Sequence, residues 1–412
     1  MEPEGLSRLA HPGQAGTDPA DAVLGDRSHF PRLRARAYLA HAAISPTPDF
    51  VERAIVEQVA ATAAQGLGAI GALLDNAALA RARFAALIGA DPADVAAIAN
   101  TSSAAAAVAS AMDWRAKDRI LTFEDEFPAN VTPWQAAAGR CGLAVVRVPI
   151  APFTRSAEEG LEAVRKELDR GGARLIAVSG VQFQTGLAMP VARLARLARE
   201  HGAELFVDAI QAVGARPVDV RAEGVHYLAA GSHKWLMGQL GAAFLWIDPR
   251  SAERLEPQLV GWTSHESPDA FLGGPASALR HDRPLVRGAR VFEAGVLNHL
   301  GLAAAAAGMA PLIALGPGAI HAHVQTYHDL LEPGLVELGF VSRRAARAEG
   351  RSAILSLDPP AEHGAADIAR ALLEAGVVAS APCGLLRLAP HWPNPLDEVP
   401  AVLRAVRAAL AV

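Results

Sequence analysis

From about residue 48 to 89, apolar side chains recur every three to four positions through FVERAIVEQVA and ALARARFAALIG, and this spacing predicts helices that stop at Gly89. The period then changes. Short β-favouring runs appear at 119–123 (RILTF), 143–150 (LAVVRVPI), 174–181 (RLIAVSGV), 204–210 (ELFVDAI), 225–231 (VHYLAAG) and 241–247 (GAAFLWI). Helical segments such as AEEGLEAVRKELDRGG and PVARLARLAREHGA separate several of them. Strands and helices alternating at this distance predict βαβ units, hence an α/β fold with a mostly parallel, doubly wound sheet. A Pro- and Gly-rich stretch at about 262–288 interrupts the rhythm. A long helical run, AILSLD, the helix AADIARALLEAG, VVASAP, LLRLAPH and a last helix follow, as suits a smaller C-terminal α/β domain. The expected division is an N-terminal arm at 1–30, a large domain at 31–285 and a small domain at 286–412, with about 31–50 able to pack on the small domain.

Two charge-poor stretches, 95–112 and 294–328, are built mainly of alanine and glycine, with Asn100, Thr101 and Ser102 in one and Pro311 and Pro317 in the other. Their transfer free energy is weak, so buried helices are expected rather than membrane spans. With 51 % apolar and 20 % charged residues, the 412-residue chain has the composition of a globular protein, neither disordered nor fibrous. Its 38 basic and 43 acidic residues leave a net charge of −5, which offers no electrostatic surface for nucleic acid or membrane. Cys141 and Cys383 can form one bridge at most, which fits a reducing cytoplasm and argues against a multi-cysteine metal site. The first 22 residues carry no apolar core, so they are read as a loose arm without a signal peptide. His321 and His323 form no HExxH set, and no metal site is expected.

In open α/β sheets ligands bind at the carboxyl ends of the strands. Asn100-Thr101-Ser102-Ser103 follows a short apolar run and opens an alanine-rich helix, where backbone N–H groups and hydroxyls suit an anion, although an ordinary N-cap explains the same residues. No GxxxxGK[ST] or GxGxxG is present. Only Lys117, Lys166 and Lys234 are lysine; the other basic residues are arginine. Lys117 and Lys166 lie among alternating charges and read as solvated. Lys234, in YLAAGSHKWLMG, follows an apolar strand and has no acidic residue within five positions. There an amine can lose its proton and form an imine, which arginine cannot do, unless the side chain merely snorkels at the core's edge. Asp208 ends the run ELFVD, 26 residues earlier, and a carboxylate after such a run needs a partner. Pyridoxal phosphate needs a lysine, a carboxylate for its ring nitrogen, an anion site and an aromatic, and all four types stand at loop positions here.

VDAIQAVGARPVDV followed by GSHKWLMG, with YLAHAAISPTP, RVFEAGVLNHLG and LLRLAPHWPNPLDEV, resembles the class V aminotransferase family, in the branch with cysteine desulfurases, selenocysteine lyases and isopenicillin N epimerase. The resemblance runs from about residue 36 to the C-terminus and implies pyridoxal 5′-phosphate fold type I, with a homodimer whose site lies near the interface. It implies that Lys234 holds the cofactor and is the base at the substrate Cα, that Asp208 pairs with the ring nitrogen, and that Gln211 hydrogen-bonds the ring oxygen. It implies phosphate contacts from Thr101, Ser102, His233 and Ser232, a stacking role for Phe127, and a substrate-carboxylate clamp at Arg387. Phe127 as plain core and Ser232 as a turn cap stay open. The chain departs from the pattern in three places. Cys383 lies only four residues before Arg387, which argues against a persulfide relay. Pro382 replaces a second arginine, and Val296 replaces a threonine that contacts the partner subunit's phosphate. The expected activity is an amino-acid Cα reaction through an external aldimine, with β-elimination of a sulfur group preferred. Transamination or epimerisation is the alternative, and a non-catalytic binder the third.

Overall fold

Residues 21–268, 270–273 and 280–411 are described by the computed structural model. Its strands are β1 (Ala37–Tyr38), β2 (Val95–Ile98), β3 (Arg119–Phe123), β4 (Ala144–Val148), β5 (Ala173–Ser179), β6 (Glu204–Asp208), β7 (Tyr227–Gly231), β8 (Ala243–Ile247), β9 (Val341–Ser342), β10 (Leu355–Asp358), β11 (Val377–Val378) and β12 (Leu386–Leu388). Seven form one sheet in the order β2-β8-β7-β6-β5-β3-β4, parallel except for β8, which runs against both neighbours. The six apolar runs at 119–247 are all strands of this sheet. The seventh, β2, corrects the expectation of buried helix for 95–112 at its first residues, while the helix does open at Thr101. Four residues, VAAI, carry too little periodicity to separate strand from helix, and pairing of Val95 to Trp246 and Ile98 to Ala243 decides the matter.

Alternation along the strands sorts side chains onto two covered faces. Phe206, Tyr227 and Ala229 pack with the helix Thr101–Ala111 and Trp134, while Leu205, Val207, Leu228 and Ala230 pack with the helices Ile70–Leu87, Val191–Glu200 and His299–Leu315. Both faces are buried, which is why these strands read as continuous apolar runs.

A three-stranded antiparallel sheet, β12-β10-β9, and a two-stranded parallel pair, β1-β11, frame the smaller body. Leu39, beside β1, shares a core with Leu355, Leu386 and Val402, so the N-terminal segment closes onto the C-terminal one. The helix His299–Leu315 packs on Ile70–Leu87 and Asp49–Gln65. The helix Pro317–Glu337 serves both bodies: Ile320 and Val324 enter the larger core, Tyr327, Leu331 and Leu335 the smaller. The start of the chain expected to be a loose arm lies, for residues 1–20, outside the described residues. Ala22 and Phe30 are buried, and Gly25 N–H donates to the Trp392 carbonyl at 2.7 Å. No single helix among the described residues is long and apolar enough to cross a membrane.

Candidate active site

Asp208 is the last residue of β6 and is 4 % exposed. By alternation it shares a face with Phe206, toward the helix Thr101–Ala111. Burial raises its carboxyl from the usual range to about 6, against a backbone hydrogen bond from Ile210 N–H at 3.0 Å and the charge of Lys234. No ion pair is made to it among the described residues.

The neighbouring strand β7 ends at Gly231 and turns into Ser232-His233-Lys234. Three hydrogen bonds behind Lys234 fix this turn. Trp235 Nε1 donates to Gln211 Oε1 at 2.8 Å, the Trp235 carbonyl meets His391 Nε2 at 2.9 Å, and Gly238 N–H closes onto the Ser232 carbonyl at 2.8 Å. Burial lowers the Lys234 amine to about 8; Asp208 opposes the shift and Arg387 adds to it. Its Nζ lies 6.0 Å from the ring centroid of Phe127. Phe127 is 48 % exposed and meets Phe183 edge-on at 5.2 Å, so it is no core residue.

Arg387, in β12, reaches the site from the smaller body. It is 5 % exposed, and it donates from Nη1 to the Phe183 carbonyl at 2.7 Å and from Nε to Ser380 Oγ at 3.0 Å. Burial lowers its guanidinium to about 10, and no carboxylate pairs with it among the described residues.

Thr101 and Ser102 open the helix Thr101–Ala111. The cap is Asn100, whose Oδ1 accepts from Ser103 N–H at 2.8 Å, which leaves the first two N–H groups of the helix for another acceptor. His233 is held neutral, its pKa pushed to about 4 by burial and by Lys234. Gln211 gives one amide hydrogen to the Ala42 carbonyl at 2.9 Å and keeps one free. Ser232 donates its hydroxyl to the Gln239 carbonyl at 2.8 Å, a turn-capping bond within its own loop that leaves its oxygen as an acceptor only.

Glu126 escaped the sequence reading. It accepts from Ser179 N–H at 2.7 Å, Gln182 Nε2 at 3.2 Å and Asn130 Nδ2 at 3.3 Å, and burial lifts its carboxyl to about 7. It braces the turn that carries Phe127 against the end of β5. In FEDEFPAN, Glu124 and Asp125 are exposed, and nothing in the spacing marks Glu126 apart from them. Cys383 is an exposed thiol in the turn Pro382–Gly384, at φ 54°. Val296 is 81 % exposed.

These residues leave three demands unmet: a buried carboxylate without a cation, a buried guanidinium without an anion, and an amine of lowered pKa facing an aromatic. A pyridinium nitrogen, a substrate carboxylate and an aldehyde carbon answer them, so the site fits pyridoxal 5′-phosphate.

Residues 37–412 match the family described as Aminotransferase class-V. The uncharacterized aminotransferase YcbU of Bacillus subtilis is 31 % identical over 300 residues, covering 73 % of this chain and 75 % of its own. Isopenicillin N epimerase of Streptomyces clavuligerus is 35 % identical over 201 residues, 48 % of this chain and 49 % of the epimerase. In structure, the apo cysteine desulfurase of Thermococcus onnurineus NA1 superposes with a TM-score of 0.79 at 24 % identity, covering 91 % of this chain and 95 % of that one. The cystine C-S lyase C-DES, in complex with cysteine persulfide, gives 0.80 at 22 %, covering 90 % and 96 %. The chain belongs to the class V aminotransferase family of pyridoxal 5′-phosphate-dependent enzymes.

Proposed function

We propose that the chain acts at the Cα of an amino acid and expels a sulfur substituent from Cβ, with pyridoxal 5′-phosphate held through Lys234. The observation that carries this reading is Arg387: a buried guanidinium without a carboxylate, close enough to Lys234 to lower its pKa. The bound cofactor supplies an electron sink for the charge that develops at Cα. Arg387 takes the substrate α-carboxylate and thereby orients Cα toward the Lys234 amine. Lys234, with a pKa of about 8, accepts the Cα proton near neutral pH. Asp208 would keep the ring nitrogen protonated, Gln211 would offer its remaining N–H to the ring oxygen, and Phe127 would stack on the ring. The Thr101–Ala111 helix N-terminus, with Thr101, Ser102 and His233, would receive the phosphate; Ser232, whose hydroxyl hydrogen goes to the Gln239 carbonyl, has none to give it.

The leaving group follows from what the site can protonate. Phe127 carries no proton and His233 is neutral, which leaves Lys234 as the amine to move one. A sulfur anion departs with little proton help, whereas an alkoxide does not. Incubation with cystine, cysteine and alanine, assaying pyruvate, sulfur release and transfer to a keto acid separately, tests this. Pyruvate formed together with released sulfur supports elimination; transfer to a keto acid without sulfur release overturns it. The names of the relatives give weight to a second reading, return of the proton to Cα, which inversion of configuration without pyruvate would reveal.

A second copy covers the exposed apolar side chains Leu67, Leu74, Leu240 and Val296, making a homodimer. The Val296 side chain cannot hydrogen-bond a phosphate, so a partner's phosphate contact would come from another group. Sedimentation of the holoenzyme decides between dimer and monomer. A cytoplasmic location agrees with the sparse cysteines.

A further inference from the structure

A cavity of about 340 Å³ lies on the sheet face opposite Asp208. Leu187, Met189, Val191, Val207, Ala212 and Leu228 give it apolar walls, and Arg216 and Glu223 border it. None of Lys234, Asp208, Gln211, Thr101, Phe127 or Arg387 lines it. Its roof comes from the smaller body, through Ala345–Gly350, and Ala188 N–H ties the two bodies at its edge by donating to the Gly350 carbonyl at 2.9 Å.

The charges around it are uneven. Arg193 pairs with Glu158 at 2.8 Å, Arg155 with Glu159 at 2.5 Å and Arg347 with Glu349 at 3.9 Å. Arg216 has no carboxylate within ion-pair distance among the described residues; Glu223 attracts it without pairing. Burial disfavours the charge on Arg216, and Glu223 opposes that shift only from beyond ion-pair distance. The volume is in the range of small-molecule sites, and apolar walls with a few polar groups are their usual chemistry; of the four arginines that line it, Arg216 is the one outside an ion pair among the described residues.

We propose that this cavity is a second ligand site, for a small carboxylate with an apolar body whose anionic end meets Arg216. The strand alternation that points Asp208 into the active site points Val207 into this cavity, so the two sites lie back to back across β6. The same loop that supplies Leu187 supplies the Phe183 carbonyl that holds Arg387.

Titration calorimetry of the holoenzyme with hexanoate, and with hexylamine as the cationic control, tests the site. Hexanoate binds with one equivalent per chain and hexylamine does not. Arg216→Gln weakens hexanoate about tenfold or more, and Arg216→Lys recovers part of the loss. Arg387→Gln separates the two carboxylate sites: hexanoate binding is unchanged in it. Binding lost in Arg387→Gln and kept in Arg216→Gln, or no binding to the wild type, overturns the proposal. Circular dichroism of each variant shows that it is folded.

Discussion

Arg387 and Phe183 stand 204 residues apart, and the Arg387 Nη1 to Phe183 carbonyl distance is 2.7 Å. One residue lies in a strand of the smaller body, the other in the loop after β5 of the larger. The guanidinium proposed to clamp the substrate is therefore anchored by a bond between the two bodies, which fixes where it sits.

Capture of added cofactor by the apo-protein needs the neutral Lys234 amine. Its rate rises with pH toward about 8 and levels off above. Asp208 raises the pKa of Lys234 and Arg387 lowers it, so Asp208→Asn moves the midpoint down and Arg387→Gln moves it up. Rapid-mixing absorbance measures this; a pH-independent rate, or shifts of the opposite sign, refutes the assignment.

Asp208 has a pKa raised on folding from 3.8 to about 6. The folded state holds that proton more tightly, so ionisation above about 6 carries a stability cost that is absent below 3.8. At pH 7 the cost is about 2–3 kcal/mol. Asp208→Asn keeps an oxygen for Ile210 N–H and stabilises the apo-protein by that order at pH 7, with the gain fading by pH 4. Urea unfolding at both pH values checks it, and an equal difference at the two would contradict the sign. The same variant holds the cofactor more weakly.

A planar guanidinium meets a carboxylate through two parallel bonds, and an ammonium does not. Arg387→Lys lowers kcat/KM for amino acids by about 100-fold. The corresponding amines without a carboxylate lose nothing by the change. If both substrate classes fall alike, Arg387 acts on the fold rather than on the carboxylate.

The helix His299–Leu315 crosses the backbone that follows Lys234 at Gly308. A methyl group there would overlap the Leu236 carbonyl oxygen, which is backbone and cannot swing aside. Gly308→Ala therefore destabilises the protein by about 1–3 kcal/mol and loosens the turn that carries Lys234. Thermal unfolding together with cofactor retention on dialysis measures both effects.

Six of the seven strands of the large sheet were legible in the sequence, because strands covered on both faces read as apolar runs, and even β4 at the edge keeps enough β-favouring residues to show. The sequence also singled out Asp208 and Lys234, since a carboxylate and an amine at the ends of such strands stand out chemically. Asn100 through Ser103 were legible as a helix start from capping chemistry alone. Tertiary structure decided what depends on distance across the chain. The strand at Val95–Ile98 exists because β8 pairs with it, and Glu126 differs from its exposed neighbours only in what surrounds it. Arg387 gains its meaning from a carbonyl in the other body. Pairing and enclosure are relations between remote segments, and a local pattern of polar and apolar residues cannot carry them.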